Sequence, residues 1–135
     1  GSYKNPDVIQ EEKLKKISKL LKNVTIKVMS FEKVLNLAKK DDFIYFDPPY
    51  YPLKRGKSFT TYTKDNFLEK EQKLLADVFK KLDQRGCSVM LSNSDMGFVK
   101  ELYPNYDISI VKAKRLINSQ ANGRGEINEI VVRNY

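Results

Sequence analysis

Phe43-Ile44-Tyr45-Phe46-Asp47-Pro48-Pro49-Tyr50 is the stretch that decides the fold. The first four residues form an apolar and aromatic run short enough for a buried strand. Two prolines follow the aspartate. Proline has no amide proton and fixes its own φ, so the strand stops there and the chain leaves it stiffly. Asp47 is therefore expected at the carboxyl end of a strand, where open α/β sheets place their ligands. Asp-Pro-Pro-Tyr arises by chance in roughly one chain of this size per thousand at average composition. The plainer reading is a strand, a stiff turn and a Tyr50 ring filling a gap.

The flanks repeat the alternation of helix and strand. Leu14, Ile17, Leu20 and Leu21 recur at helical spacing within 9–22, and Asn23 stops them. Val24, Ile26 and Val28 alternate with Thr25 and Lys27 and predict a short strand. Ser30 would cap a helix carrying Val34, Leu35 and Ala38. Beyond the prolines, 51–66 has no useful period and predicts a long loop. Phe67, Leu74, Leu75, Val78, Phe79 and Leu82 mark the longest helix, ended by Gly86. Cys87 to Leu91 predicts a strand closed by Ser92-Asn93. A short helix follows over Met96–Leu102, then strands over Asp107–Val111 and Ile127–Val132 with a polar loop between. The fold class is α/β: a mainly parallel sheet with an antiparallel edge hairpin, and no internal domain boundary.

Composition narrows the chemistry. The 135 residues contain no His and one Cys, Cys87. That excludes Ser-His-Asp and Cys-His catalysis, an intrachain disulfide, and any His-ligated or multi-Cys metal site, so no metal is expected. No apolar run reaches the roughly 18 residues of a membrane-spanning helix, and no signal peptide is visible. A reduced, cytoplasmic protein is expected. Lys and Arg outnumber Asp and Glu 25 to 17, a formal net charge of +8. The excess points to a polyanion, and Lys54-Arg55-Gly56-Lys57 and Lys112-Ala113-Lys114-Arg115 concentrate it outside the best helices.

The tetrapeptide suits a particular ligand. A carboxylate at Asp47 and the carbonyl of Pro48 are acceptors, and Tyr50 offers a flat ring beside them. A planar heterocycle with an exocyclic amino group would stack on the ring and give both amino hydrogens to the acceptors. That grip frees the nitrogen lone pair for attack, and the negative Asp47 stabilises positive charge growing on nitrogen.

Asp47-Pro48-Pro49-Tyr50 resembles the catalytic motif of amino-methylating DNA methyltransferases. Phe59-Thr60-Thr61-Tyr62-Thr63, Met90-Leu91-Ser92-Asn93-Ser94, Arg124-Gly125-Glu126-Ile127 and Ile130-Val131-Val132-Arg133-Asn134-Tyr135 resemble, in order, segments of Dam-type (D12 class) DNA N6-adenine methyltransferases, including enzymes that modify GATC. The resemblance runs from Tyr3 to the last residue. It implies a partial Rossmann-like fold that uses S-adenosylmethionine and acts on a flipped adenine in duplex DNA. It implies catalytic roles for Asp47, Pro48, Pro49 and Tyr50. Asp47, Tyr50, Phe31 and Phe46 would lie near the cofactor, the two phenylalanines at strand ends. Ser30 stands where relatives usually carry an acidic cofactor contact. Phe59 and Tyr62 would wall the adenine pocket, and Ser119, Asn122 and Arg124 would lie near the flipped nucleotide and the DNA backbone. Ser92-Asn93 would cap the following helix or touch substrate.

The family's glycine-rich cofactor turn has no counterpart among Gly1, Gly56, Gly86, Gly97, Gly123 and Gly125. Residues 1–2 read as an expression scar and 3–135 as the carboxyl-terminal part of the catalytic domain, without that turn or the target-recognition domain. Such a piece would be inactive alone. Its catalytic strand would have an unpaired edge, which predicts a homodimer, a swapped or displaced first strand, or a covering helix. Two other functions compete: a non-catalytic basic nucleic-acid-binding domain, and a methylase acting on RNA or protein glutamine.

Overall fold

The structure, a computed structural model, describes residues 10–52, 67–114 and 126–135. The chain divides into two compact units, Gly1–Ser30 and Phe31–Tyr135. The sequence pattern had shown no boundary at residue 30.

In the first unit, α1 (Glu11–Leu20) runs into a 3₁₀ turn at Leu21–Asn23. Glu11 and Glu12 sit at its positive end and Lys19 at its negative end, as the helix dipole favours. The strand expected from Val24, Ile26 and Val28 does not form. These residues are exposed, Val28 fully so, and among the described residues they pair with no strand. Alternation specifies a strand only where a partner takes up the backbone hydrogen bonds.

The second unit holds one four-stranded sheet: β1 (Phe43–Phe46), β2 (Ser88–Ser94), β3 (Asp107–Lys114) and β4 (Glu126–Arg133), in the order β1-β2-β4-β3. β1 and β2 are parallel, whereas β4 runs antiparallel to both β2 and β3. The sheet is thus mixed rather than mainly parallel. The β3–β4 hairpin is present at one side, but β4 inserts between β2 and β3. β3 and β4 pair antiparallel from Asp107 opposite Arg133 to Lys114 opposite Glu126. Among the described residues β1 pairs on one side alone.

α2 (Glu69–Gln84) carries the expected apolar stripe, with Leu75, Val78, Phe79 and Leu82 buried against Val89, Leu91, Ile130 and Val132 of the sheet. α3 (Gly97–Glu101) buries Val99. The segment after Ser30 is a 3₁₀ helix, Phe31–Asn36, rather than an α-helix. It packs Phe31, Val34 and Leu35 against the core. Arg85 fastens it by donating to the carbonyls of Leu35 and of Ala38, the latter at 2.8 Å.

Gly86 ends the α2 connection at φ 81°, where an added Cβ would lie 3.1 Å from Lys40 Cγ. Glycine is favoured there by its positive φ, and an added Cβ would also press on the Lys40 side chain. The Gly86 carbonyl accepts from the Asp41 amide at 2.9 Å, and the Asp42 carbonyl accepts from Ser88 at 2.9 Å. These bonds set β1 beside β2 in a register that puts Phe46 opposite Leu91.

Candidate functional site

The register continues past β1. Phe46 opposite Leu91 brings Asp47 level with Ser92, on the sheet face away from α2. Ser92 Oγ donates to Asp47 Oδ1 at 2.9 Å, and the Tyr45 hydroxyl lies 2.9 Å from the same Oγ. Ser92 has one proton and gives it to the carboxylate, so Tyr45 donates to Ser92. This chain aims one Asp47 oxygen, while the aspartate as a whole is exposed. It is neither buried nor ion-paired among the described residues.

Tyr50 is half-buried, and its hydroxyl donates to Glu129 Oε2 at 3.4 Å. Burial holds its phenol above the ordinary 10.0; the Ser92 hydroxyl pulls it back, while the charges of Glu129 and Asp47 push the same way as burial. Tyr50 therefore stays a neutral donor at neutral pH. The strand end offers an acidic, acceptor-rich rim around a partly exposed ring.

Polar residues grip the turn from the other face. Asn93 follows Ser92, so its side chain enters the core side, where it is fully buried. Its Nδ2 donates to Gln72 Oε1 at 3.0 Å, and its Oδ1 accepts from the Tyr51 amide at 3.0 Å and the Ser94 amide at 2.8 Å. Gln72, fully buried on α2, donates to the Pro49 carbonyl at 3.1 Å. Ser94 Oγ donates to the Tyr51 carbonyl at 2.7 Å. The Tyr51 ring packs on Phe98 with centroids 4.7 Å apart. These bonds use the carbonyls of Pro49 and Tyr51, not that of Pro48.

The other expected residues fall as follows. Phe46, at the end of β1, belongs to the core. Phe31 lies at the start of the 3₁₀ helix rather than at a strand end, and its ring meets Phe67 edge-on at 5.8 Å. Ser30 is exposed and belongs to the first unit. Ser92-Asn93 does not cap the next helix: both residues lie within β2, and α3 begins after Met96 with no side-chain cap. Lys112 is exposed, 3.6 Å from Glu126. Phe59, Tyr62, Ser119, Asn122 and Arg124 lie outside the described residues, as do Lys54, Arg55, Lys57 and Arg115. Gln72, Tyr45 and Glu129 were missed in the sequence. Gln72 left one trace there: a polar residue three positions before Leu75, in line with the apolar stripe.

An exposed carboxylate beside a half-buried phenol ring suits a ligand that is cationic and partly flat, as a nucleoside sulfonium is. Asp47 and Tyr50 are the described residues that could hold such a group. Among the described residues no cluster of acidic residues and cysteine is arranged to hold a metal ion, and no helix is long and apolar enough to cross a membrane.

Fold and site together define an α/β domain whose acidic, aromatic strand end is preorganised from both faces of its sheet. The D12 class N6 adenine-specific DNA methyltransferases match residues 1–117, and the chain belongs to that family. It is 44% identical over 137 residues to the type II methyltransferase M1.LlaDCHI of Lactococcus lactis subsp. cremoris, a match covering 100% of this chain and 48% of the relative. It is 46% identical to the type II methyltransferase M.MjaIII of Methanocaldococcus jannaschii, over 100% of this chain and 47% of the relative. A DNA adenine methylase of Vibrio cholerae is 34% identical over 97% of this chain and 47% of its own length. The chain thus spans about half the length of these curated relatives.

Proposed function

We propose that the full-length protein methylates N6 of adenine in duplex DNA, using S-adenosylmethionine. The observation that carries this reading is the Asp47 carboxylate. It is exposed at a strand end, oriented by Ser92 and set beside the Tyr50 ring, in a chain of the adenine-methyltransferase family.

When bound, S-adenosylmethionine supplies an electrophilic methyl group on a sulfonium. The chain's own groups prepare the nucleophile. In this reading the adenine leaves the stack and lies against Tyr50. Asp47 and the Pro48 carbonyl accept the two amino hydrogens, which turns the nitrogen lone pair out of the ring system. Ser92 fixes one Asp47 oxygen, so little reorganisation is needed as positive charge builds on nitrogen. Pro49 keeps the turn stiff.

The fold is a partial Rossmann-like methyltransferase sheet. The glycine-rich cofactor turn and the base-reading domain are supplied by sequence outside these residues. GATC is the first target to try. The 135 residues alone are inactive and self-associate through the free side of β1.

The test incubates the full-length protein with labelled S-adenosylmethionine and duplexes with or without GATC, then identifies the methylated base. N6-methyladenine is expected, and Asp47→Ala is expected to add about 3–4 kcal/mol to the barrier. Wild-type turnover in Asp47→Ala would remove the carboxylate from its role. Salt-dependent DNA binding untouched by Asp47→Asn, with no methylated base, would leave a basic binding module instead.

A further inference from the structure

We infer that Gln72 and Asn93 form a buried amide clamp that positions the Asp47–Tyr50 turn for reaction. The inference rests on the function proposed above and adds two positioning residues to it.

Both residues occupy places where the pattern calls for an apolar side chain. Gln72 precedes Leu75, Val78, Phe79 and Leu82 on the buried stripe of α2. Asn93 follows Val89 and Leu91 on the inward side of β2. A leucine at either place would avoid the cost of taking an amide out of water. That cost is met here because each amide is hydrogen-bonded. Asn93 makes bonds at 3.0, 3.0 and 2.8 Å, and Gln72 makes bonds at 3.0 and 3.1 Å.

These bonds converge on the backbone flanking Tyr50. One end of the pair takes the Pro49 carbonyl and the other takes the Tyr51 amide, the groups on either side of Tyr50. Prolines cannot hydrogen-bond through nitrogen, so the turn cannot join the sheet ladder. Side-chain amides replace the missing ladder bonds and fix the plane in which the Tyr50 ring stands. Ser92 aims the Asp47 carboxylate from the opposite face. Loosening the clamp should shift the ring and the carboxylate relative to each other without removing either. Misplacement of about 1 Å can cost on the order of 100-fold in rate.

The test makes Gln72→Met and Gln72→Glu in the full-length protein, with Asp47→Ala as reference. Gln72→Glu keeps the acceptor for Asn93 and loses the donor to Pro49. Both variants are expected to lower kcat about 10- to 100-fold, with KM for DNA and for S-adenosylmethionine within about threefold of wild type. Amide hydrogen exchange at Tyr51 should speed up while Val89 and Leu91 stay protected. A variant with kcat within about twofold of wild type and unchanged Tyr51 exchange overturns the inference. So does a rise in KM at constant kcat, or faster exchange throughout the core in both variants, which would make Gln72 a stability residue. If wild type transfers no methyl group, the proposed function is what fails. Tyr51 exchange then decides the clamp: acceleration retains it as a structural device, and no change removes it.

Discussion

Tyr50 carries two separable parts, a ring and a hydroxyl. The hydroxyl reaches Glu129 only at 3.4 Å, a long bond of small value. The ring is what a base would stack on. Tyr50→Phe should therefore retain methyl transfer to within a few-fold, whereas Tyr50→Ala should lose about 1–3 kcal/mol of stacking. Single-turnover transfer to duplex DNA measures both; a Phe variant as weak as the Ala variant would move the function from the ring to the hydroxyl. Asp47 differs in kind. Its partner Ser92 is an uncharged donor that orients one of its oxygens.

Elements meet the site at the end of β2. Three consecutive polar residues, Ser92, Asn93 and Ser94, close a strand whose earlier inward positions are apolar. Alternation sends Ser92 to one face and Asn93 to the other, so one strand end holds the turn from two sides. Asp95, the next residue, ties this end to α3 and β4: Lys100 lies 2.5 Å from it, and Asn128 donates at 3.3 Å. The Lys100 bond is the main reason its carboxyl lies below the ordinary 3.8, with burial opposing and Asn128 assisting. The folded state thus binds this proton less readily than the unfolded chain. The resulting stability is whole above pH 3.8 and is lost as pH falls through the lower folded value. The pair is partly exposed, so its worth is about 1 kcal/mol at most. Urea unfolding across the acid range should show wild type losing more stability than Lys100→Met; parallel curves would dismiss the pair.

At the scale of the molecule, aromatic side chains at the β1 end of the sheet are exposed. Phe43 is 60% exposed, Tyr45 49% and Tyr135 59%. Phe43 and Tyr135 pack edge-on at 6.1 Å, and the Tyr135 hydroxyl lies 3.7 Å from Met90 Sδ. Exposed aromatic rings beside a strand edge that is unpaired among the described residues favour association. The 135-residue chain should sediment as a concentration-dependent oligomer, and Phe43→Lys should shift it to monomer. A wild-type chain that stays monomeric at high concentration would retire the edge-pairing proposal. Mixed sheet direction also emerges only at this scale. β3 and β4 looked like an added hairpin, yet β4 fills the space beside β2 and supplies Ile130 and Val132 to the core and Glu129 to the site.

Local physics made much of this protein legible in its residues alone. A proline pair ends β1 because proline lacks a donor, and the α2 stripe announces a buried helix face because side chains recur every 3.6 residues. Asp47 and Tyr50 at the strand end followed from those facts, and the resemblance of the segments around them pointed to the family. Long-range closure decided the rest. Val24, Ile26 and Val28 alternate like a strand but have no ladder partner among the described residues. Ser92-Asn93 looked like a helix cap, and parallel register set it against Asp47 and Tyr51 instead. Gln72 sits 21 residues from Asn93 and meets it only once α2 lies on the sheet. Hydrogen bonds between side chains so far apart depend on position in space to a fraction of an ångström, and no local pattern encodes that.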